Sequence, residues 1–378
     1  MAKGMSERNL RNTYAEVNVT RFLRNIFKLS KKINMPLAPV LKANAYGHGA
    51  IQLAKACEES KAGFIIVAFL EEAIQLREAG IALPILVLNY FDPKYAREAL
   101  KYDISITSFS MEQMREIVKY LDGSAKKLRV HMNVDTGMSR LGTREKALEL
   151  YDFLLSKDEV LLEGVYTHLV SADDPDDPMN SQQVTEFKAF LKKLPQKPQY
   201  VHMCNSAGSA FLNECVGNMA RVGIALYGLQ PSSKFFIDYI QPVMSLHSTI
   251  AEIKTLKKGQ GVGYNHIYIA EITKKIAVIP IGYADGVPRA LSNKGEVLIK
   301  GKRAKILGRV SMDQMTVDIS QIDDVRIGDD VVIFGKSGDE EIRVEEIAEK
   351  AGTVNYEIVC GISPRVPRIY VRESGVSM

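Results

Sequence analysis

The chain has 378 residues, of which 46% are hydrophobic and 25% charged, and its formal net charge is +4. This is the composition of an ordinary globular protein, and so small and scattered a charge argues against a nucleic-acid partner. The sequence has no apolar run long enough to span a membrane, and its amino terminus lacks the apolar core of a signal peptide. We therefore expect neither nucleic acid nor membrane as a partner.

The cysteines are far apart and form no CxxC pair. This spacing predicts reduced thiols in the cytoplasm, with neither a disulfide framework nor a zinc site, and we expect no metal. The four cysteines are Cys57, Cys204, Cys215 and Cys360.

Short apolar runs alternate with amphipathic segments along the first two-thirds of the chain. Segments such as "EEAIQLREAG" and "MEQMREIVKYL" have apolar residues at three- and four-residue spacing, which predicts helices between strands. Eight such units predict an α/β fold, a (β/α)8 TIM-like barrel over residues 1–243. A doubly wound open sheet is the weaker alternative, because no GxGxxG follows the first run. The runs are 36–41, 64–69, 84–89, 104–109, 128–134, 162–170, 199–204 and 219–226.

The pattern changes after about residue 243. Segments such as "KIAVIPIGYADG" and "GDDVVIFG" alternate apolar and polar residues between closely spaced turn residues. They predict a mainly antiparallel β C-terminal domain over residues 244–378, with one short helix in "RVEEIAEKAGT". We expect the first dozen residues to pair with this domain.

The barrel prediction locates the chemistry, because active sites of such barrels lie at the carboxyl ends of the strands. Polar residues follow several of the apolar runs at that point. They are Lys42, Asn133, Asp135, Arg140, His168, Asn205, Ser206 and Arg221, with Gly223 and Ile224 beside the last.

Lys42 ends the apolar run in "PVLKANAYGHGA". A partly desolvated lysine amine at a barrel mouth can form a Schiff base with a substrate carbonyl or with pyridoxal phosphate. A rim lysine paired with a carboxylate is the alternative. The loops after strands 7 and 8 favour the cofactor, because Ser206 is a natural helix N-cap there and Gly223 permits close approach of a phosphate. Arg221 would then face the pyridine nitrogen.

These motifs together resemble the alanine racemase family. Besides "VLKANAYGHG", the segments "VHMNVDTGMSRLG", "THLVSAD", "HMCNSAG", "ARVGIALYG", "VGYN", "IPIGYADG", "GRVSMDQ" and "ISPRVPR" occur in the family's order and spacing. The lysine motif alone is shared with related barrels, whereas the whole set is specific.

The resemblance implies a role for each matching residue. Lys42 would carry pyridoxal 5'-phosphate as an aldimine and act as one catalytic base, and Tyr264, from the other subunit of a homodimer, would be the second. Arg221 would hold the pyridine nitrogen, and His168 would connect Arg221 to Tyr264. Other groups would bind the cofactor (Tyr46, Arg140, Asn205, Ser206, Gly223, Ile224, Tyr356), the substrate carboxylate (Arg140 and Met312, the latter across the dimer), or support the site (Asn133, Tyr283, Asp313).

The implied activity is the interconversion of L- and D-alanine for peptidoglycan. Alternatives are a racemase for another amino acid such as serine or lysine, and a pyridoxal-phosphate decarboxylase, which would need an acid where Arg221 stands. A non-catalytic cofactor-binding barrel would lack the second domain. Asn133 stands where many relatives have a carbamylated lysine, and we hypothesise that Asn133 with a bound anion orients Arg140 instead.

Overall fold

The computed structural model describes residues 10–60 and 62–373. The chain forms two compact units. The first, which we call the barrel unit, comprises Phe22–Ala45 and Gly49–Ile240. The second, which we call the β unit, comprises the described residues up to Arg21, Tyr46–His48, and the described residues from Gln241 onward.

The strands are numbered in chain order. They are β1 (Tyr14–Asn18), β2 (Leu37–Pro39), β3 (Ile65–Val67), β4 (Ile85–Val87), β5 (Ser105–Ser108), β6 (Leu128–Asn133), β7 (Val160–Tyr166), β8 (Tyr200–His202), β9 (Ala220–Val222), β10 (Met244–Thr249), β11 (Glu252–Leu256), β12 (Gly261–Val262), β13 (Tyr268–Ile269), β14 (Lys274–Ile279), β15 (Glu296–Ile299), β16 (Lys302–Leu307), β17 (Met315–Asp318), β18 (Asp330–Ser337), β19 (Glu340–Ile342) and β20 (Arg368–Val371).

The right-handed α-helices are numbered in the same way. They are α1 (Val19–Ile33), α2 (Ala50–Glu59), α3 (Leu70–Glu78), α4 (Ala96–Lys101), α5 (Met111–Leu121), α6 (Ala147–Leu155), α7 (Pro178–Lys193), α8 (Ser206–Phe211), α9 (Val344–Ala351) and α10 (Asn355–Cys360). Short 3-10 helices occupy Pro93–Tyr95, Ile224–Tyr227, Tyr264–His266, Tyr283–Asp285 and Arg289–Leu291.

Parallel strands β2 to β9 form a closed ring in the barrel unit. Strands β3 to β8 pair with one another in chain order, and β2 pairs with β9. Isolated parallel bridges, Val40 to Ile66 and His202 to Met219, close the two remaining gaps. The predicted (β/α)8 barrel is therefore confirmed, since each apolar run overlaps one strand, and the open-sheet alternative is wrong.

The helices of the barrel unit cover the ring with one apolar face each. In α5, Met114, Ile117 and Leu121 are buried at the spacing of one helical face, as the sequence predicts. Ser110 caps this helix, because its hydroxyl accepts the N–H of Gln113 at 3.1 Å. Strands β3 and β4 are buried at every residue, which explains why they appear in the sequence as continuous apolar runs.

The β unit is built on one large, mainly antiparallel sheet, as predicted. Its strand order is β11-β14-β17-β16-β15-β18-β10-β1-β20, with β19 added to β18. The β1–β20 pair is parallel, and the other pairs are antiparallel. The predicted short helix is α9. The six-residue helix α10, which follows it, was not predicted.

The cysteine prediction needs correction. Cys204 and Cys215 form a disulfide, with Cα atoms 5.7 Å apart and a sequence separation of 11. The chain returns along β8 after α8, because Asn218 Oδ1 accepts the N–H of Val201 at 2.9 Å, and this brings Cys215 opposite Cys204. Sequence spacing alone cannot reveal such a return. The thiol argument for a cytoplasmic protein therefore no longer holds. Cys57 is buried and Cys360 is exposed.

One expectation concerns the amino-terminal segment of the chain. Residues 1–9, most of the segment expected to pair with the β domain, lie outside the described residues. Arg11, which is described, donates to Pro280 O at 3.3 Å and to Asp285 Oδ2 at 3.1 Å within the β unit.

Among the helices of the described chain, none has the length and apolar character to cross a membrane. Those same residues contain no cluster of three or more His, Cys, Asp or Glu side chains placed to hold a metal ion.

Candidate active site

The chain changes hand immediately after strand β2. Lys42–Tyr46 forms a left-handed helical turn, in which the φ angles of Ala43, Asn44 and Ala45 are 52°, 54° and 54°. Asparagine tolerates this conformation, but in an ordinary L-residue it costs about 1–2 kcal/mol. Backbone strain thus begins at the residue after the half-buried Lys42, and other contacts must offset it.

Two side chains of the barrel unit hold this turn. Glu72 Oε1 accepts the N–H of Ala43 at 2.6 Å. Asn44 accepts the N–H of Gly49 with its main-chain oxygen at 2.9 Å and the N–H of Ala50 with Oδ1 at 2.8 Å. These bonds fix the backbone that carries Lys42. Neither Glu72 nor Asn44 was predicted as a site residue.

Arg221, on β9, is 3% exposed, and its guanidinium lies in a cage of acceptors. It donates through one terminal nitrogen to Thr167 O at 2.8 Å, Met203 O at 3.2 Å and His168 Nδ1 at 3.1 Å. Through the other it donates to His202 O at 3.1 Å and His202 Nδ1 at 2.8 Å. Burial lowers the pKa of Arg221 to about 10, so the group stays charged at neutral pH.

His168 is neutral in this environment. Burial, together with the positive charges of Arg221, Arg140 and Lys42, lowers its pKa to about 3. The positive charges of these three side chains therefore all disfavour protonation of one imidazole, at the carboxyl ends of the barrel strands. A guanidinium nitrogen only donates, so Nδ1 of His168 accepts and its proton resides on Nε2.

Ser206 and the loop after β9 lie together, at the position predicted to bind phosphate. The Ser206 hydroxyl accepts the N–H of Gly223, the residue before Ile224, at 2.9 Å. The expectation that Ser206 is the N-cap of α8 is wrong, because the helix begins at Ser206 itself. Asn205 is the N-cap, and its Oδ1 accepts the N–H of Gly208 at 2.9 Å.

Asn133 acts on the loop that carries Arg140. Its Nδ2 donates to the main-chain oxygen of Leu141 at 3.0 Å, while the Arg140 side chain is exposed. A Cβ added at Gly142 would lie 3.1 Å from Cγ of Asn133, so the loop packs closely on this amide. Asn133 therefore orients the loop through Leu141, and its cooperation with a bound anion stays a prediction.

Three predicted residues of the β unit, Tyr283, Met312 and Asp313, lie on two adjoining segments. Tyr283 N–H donates to Ser311 O at 3.0 Å, and Ala284 N–H donates to Met312 O at 3.0 Å. Gly282 permits this approach, because a Cβ there would collide with the main-chain oxygen of Ser311. The pairing sets Tyr283 beside Met312 and Asp313, and Asp313 accepts from Arg365 at 2.6 Å.

Tyr264 lies elsewhere in the β unit, in the 3-10 helix that follows β12. It is 70% exposed, and Met312 is 52% exposed. The two residues predicted to act across a dimer are thus both accessible in the single chain.

Tyr46 and Tyr356 lie close together in the β unit, with ring centroids 6.0 Å apart. Burial, and to a smaller extent Tyr356, raises the pKa of Tyr46, so this phenol stays protonated. Arg368 donates to Gly47 O at 2.9 Å. The segment that follows the left-handed turn is thus fixed by the C-terminal part of the chain.

Sequence reasoning missed two buried histidines beneath Arg221. His202 and His131 are both 0% exposed, on β8 and β6. His202 Nε2 lies 2.8 Å from His131 Nδ1, and His131 Nε2 lies 3.2 Å from Glu163 Oε2 on β7. A signal was present, since the tripeptide Val-His-Met occurs twice, at residues 130–132 and 201–203.

The chain has a barrel with a lysine and two arginines at its mouth. An antiparallel β domain with an accessible tyrosine follows it in the sequence. These features together define a class of two-domain barrel enzymes. Two family models assign the chain to one family within this class. Residues 17–231 match the alanine racemase N-terminal domain, and residues 243–370 match the alanine racemase C-terminal domain. The chain belongs to the alanine racemase family, which is dependent on pyridoxal phosphate.

Relatives and solved structures agree over nearly the full length. The chain is 39% identical to alanine racemase 2 of Bacillus subtilis (strain 168), covering 97% of this chain and 96% of that protein. The crystal structure of alanine racemase from E. faecalis superposes with a TM-score of 0.92 at 38% identity, covering 98% and 100% of the two chains. A histidine racemase from Leuconostoc mesenteroides superposes with a TM-score of 0.90 at 28% identity, covering 96% and 99%. Similar folds therefore carry names for different substrates.

The described residues fit pyridoxal phosphate. Lys42 offers a primary amine, and the cations around His168 suit the negative charges of a phosphate and a phenolate. The Ser206 hydroxyl and the backbone near Gly223 offer phosphate ligands of the kind that barrels use. Among the described residues, the acceptors of Arg221 are main-chain oxygens and histidine nitrogens, and none is a carboxylate.

Proposed function

We propose that this protein interconverts L- and D-alanine with pyridoxal 5'-phosphate bound at Lys42. The observation that supports this most is the positive barrel mouth, where Lys42, Arg140 and Arg221 act on one neutral histidine, His168. Family membership supports the substrate. The product, D-alanine, would serve peptidoglycan synthesis, and the enzyme would work in the cytoplasm, where such precursors are made.

The residues of the barrel unit would bind and orient the reactants. Ser206, with the N–H groups of Gly223 and Ile224, would hold the phosphate, aided by Asn205 as helix cap. When bound, the cofactor supplies an electron-withdrawing ring that acidifies the substrate Cα proton. Arg221 stays charged and cannot accept a proton, so it would disfavour protonation of the ring nitrogen and with it side reactions such as transamination.

The remaining predicted site residues would contact the phosphate or the substrate carboxylate, or support residues that do. Tyr46 and Tyr356 would close around the phosphate, and Arg140 and Met312 would meet the substrate carboxylate. Tyr283 and Asp313 would support Met312 through the segment pairing described above.

Racemisation needs one base on each face of Cα. The Lys42 amine would remove or return the proton on one face, and the Tyr264 hydroxyl would do so on the other. His168, neutral with its proton on Nε2, would connect Arg221 to Tyr264. It would accept a hydrogen bond from Arg221 at Nδ1 and donate one from Nε2 to the Tyr264 hydroxyl oxygen.

The protein would act as a homodimer, with Tyr264 and Met312 supplied by the partner. Exposed apolar side chains near Tyr264 support this, because Ile269 and Ile272 are 58% and 64% exposed. Mixing inactive Lys42→Ala and Tyr264→Phe subunits tests it. If sites are shared, a mixed dimer has one intact site and about a quarter of the normal activity returns, whereas a mixture that stays inactive contradicts sharing.

A chiral assay against a panel of L-amino acids, with and without added pyridoxal phosphate, tests the activity and the substrate. We expect D-alanine to form faster than any other D-amino acid, and Lys42→Ala to abolish turnover and the visible absorbance of bound cofactor. Preferential racemisation of serine, lysine or histidine would reassign the substrate. Release of carbon dioxide and an amine would indicate a decarboxylase.

A further inference from the structure

A single row of hydrogen bonds runs from Arg221 into the interior of the barrel unit. Arg221 donates to His202 Nδ1 at 2.8 Å, His202 Nε2 lies 2.8 Å from His131 Nδ1, and His131 Nε2 lies 3.2 Å from Glu163 Oε2. Both imidazoles are completely buried. Each ring nitrogen of the two histidines is thus engaged in the row.

The chemistry of the two ends fixes where every proton lies. Guanidinium nitrogens only donate, so in the observed arrangement His202 Nδ1 is the bare acceptor and His202 Nε2 carries the proton. His202 Nε2 then donates to His131 Nδ1, which leaves the His131 proton on Nε2, pointing to Glu163. Burial lowers the pKa of both histidines, which agrees with two neutral rings.

Glu163 is held in the ionised, accepting form that the row requires. Burial opposes its ionisation, but hydrogen bonds from His131 and Ser105 and the charge of Arg129 outweigh it and hold its pKa below the ordinary value. Ser105 donates to Glu163 Oε2 at 2.8 Å, and Arg129 Nε lies 3.7 Å from Oε1. A carboxylate can serve several donors at once.

The strands are locally irregular where they make this row. In the β6–β7 pair, Val130 pairs with Leu162 but His131 pairs with Gly164, so Glu163 is the extra residue of a bulge. Bulges in parallel pairs are rare and re-aim a side chain. A Cβ at Gly164 would collide with the His131 ring, so the missing side chain leaves room for the imidazole.

We propose that Glu163 is a positioning residue that sets the tautomers of His131 and His202 and thereby keeps a bare nitrogen facing Arg221. Without an acceptor at residue 163, His131 would no longer be restricted to the Nε2–H form. If His131 carried its proton on Nδ1, His202 would be pushed to the Nδ1–H form, and donor would face donor at Arg221. The role in catalysis rests on the proposed function, whereas the tautomers do not.

Long-range proton–nitrogen NMR of the full-length protein, labelled with nitrogen-15 in its 6 histidines, tests the proposal without cofactor turnover. We expect His131 and His202 to show one protonated nitrogen each, Nε2, with signals assigned through His→Gln variants. An Nδ1–H or doubly protonated form at either residue overturns the proposal. This result is independent of whether alanine is the substrate.

Variants at residue 163 separate the acceptor from mere packing. Glu163→Leu should mix the tautomers of both histidines, whereas Glu163→Gln, whose amide oxygen can still accept, should keep the wild-type pattern. In the cofactor-loaded enzyme, Glu163→Leu should lower kcat about tenfold with little change in KM, and Glu163→Gln should restore most of it. Unchanged tautomers in Glu163→Leu would refute the role of Glu163.

Arg129→Met is the matched control. Arg129 pairs with Glu163 and with Asp103, so its removal takes a charged partner from the carboxylate but leaves the accepting oxygen of Glu163 in place. Its removal should leave both histidine patterns as in the wild type. A pattern altered as strongly as in Glu163→Leu would show that the carboxylate acts only through general packing. Should Glu163→Leu fail to fold, the wild-type tautomers and Glu163→Gln still decide the question.

Discussion

Glu72 Oε1 accepts the N–H of Ala43, the residue directly after Lys42, at 2.6 Å. The second oxygen of the same carboxylate accepts the N–H groups of Ala68 and Phe69 at 2.7 and 3.1 Å. One side chain thus ties the lysine-bearing turn to the start of α3.

Replacing Glu72 should therefore lower the free energy of unfolding of the protein. Glu72→Ala leaves three backbone N–H groups without this acceptor, and we expect a loss of about 2 kcal/mol in the free energy of unfolding, measured by urea titration. Glu72→Gln should lose less, since one oxygen remains. Glu71→Ala, on the exposed side of the same helix, is the control and should change stability by less than about 0.5 kcal/mol. Equal losses in the two alanine variants would contradict this role.

Glycine at position 43 should behave opposite to glycine in an ordinary helix. Ala43 has a φ of 52°, a conformation that glycine adopts without steric cost. Ala43→Gly should leave the free energy of unfolding unchanged or raise it by up to about 1 kcal/mol. Ala189→Gly, at an exposed site within α7, should lower it by about 1 kcal/mol. A similar loss in both variants would mean that the turn is not left-handed in solution.

The half-buried His168 should make the protein less stable in acid. Burial and the charges of Arg221, Arg140 and Lys42 lower its pKa to about 3, whereas in the unfolded chain it is near 6.5. Between these values the unfolded chain binds more protons, so the free energy of unfolding falls as pH falls through this window. Urea titrations across that range should show a shallower slope in His168→Gln, by up to about one proton. An unchanged slope would mean that His168 is protonated in the folded protein.

Tyr264→Phe should abolish proton transfer on one face of the substrate Cα and leave it intact on the other. The Lys42 face keeps its base, so α-deuterium exchange from one alanine enantiomer should survive while full racemisation fails. Proton NMR in deuterium oxide and chiral chromatography measure the two rates. Equal loss of exchange from both enantiomers would argue against separate bases on the two faces.

The cysteines should differ in their reaction with Ellman's reagent. Without reductant, denatured protein should show two thiols, Cys57 and Cys360, and with reductant all four. In the folded protein Cys360 should react first, because burial raises the pKa of the Cys57 thiol. Cys215→Ser should release Cys204 as a third thiol. Four thiols in the unreduced wild type would exclude the disulfide.

The barrel was predictable because most residues of its strands are buried, and strands such as β3 and β4 therefore appear as continuous apolar runs. The left-handed turn after Lys42 was not, since hydrophobic periodicity carries no information on the hand of four residues. Helix α10 has only six residues, too few for a clear apolar face. The disulfide escaped prediction because the return of the chain after α8 is a tertiary feature.

The site shows the same division. Lys42, His168 and Arg221 were found because each lies in a barrel strand or shortly after its carboxyl end. His131 and His202 lie one layer deeper, and a histidine inside an apolar run resembles a packed core residue. Glu163 reaches His131 through a bulge, and a one-residue register shift leaves no mark in hydrophobic periodicity.

Gly164 limits how this barrel can vary. A side chain there would meet the ring of His131, so substitutions at the two positions are coupled. A mutational library should accept alanine or serine at 164 only when 131 carries a smaller residue, and such double variants would lose the row to Arg221. Enzymes redesigned on this scaffold must therefore treat positions 131, 163 and 164 as one inherited unit, however freely the mouth above them is altered.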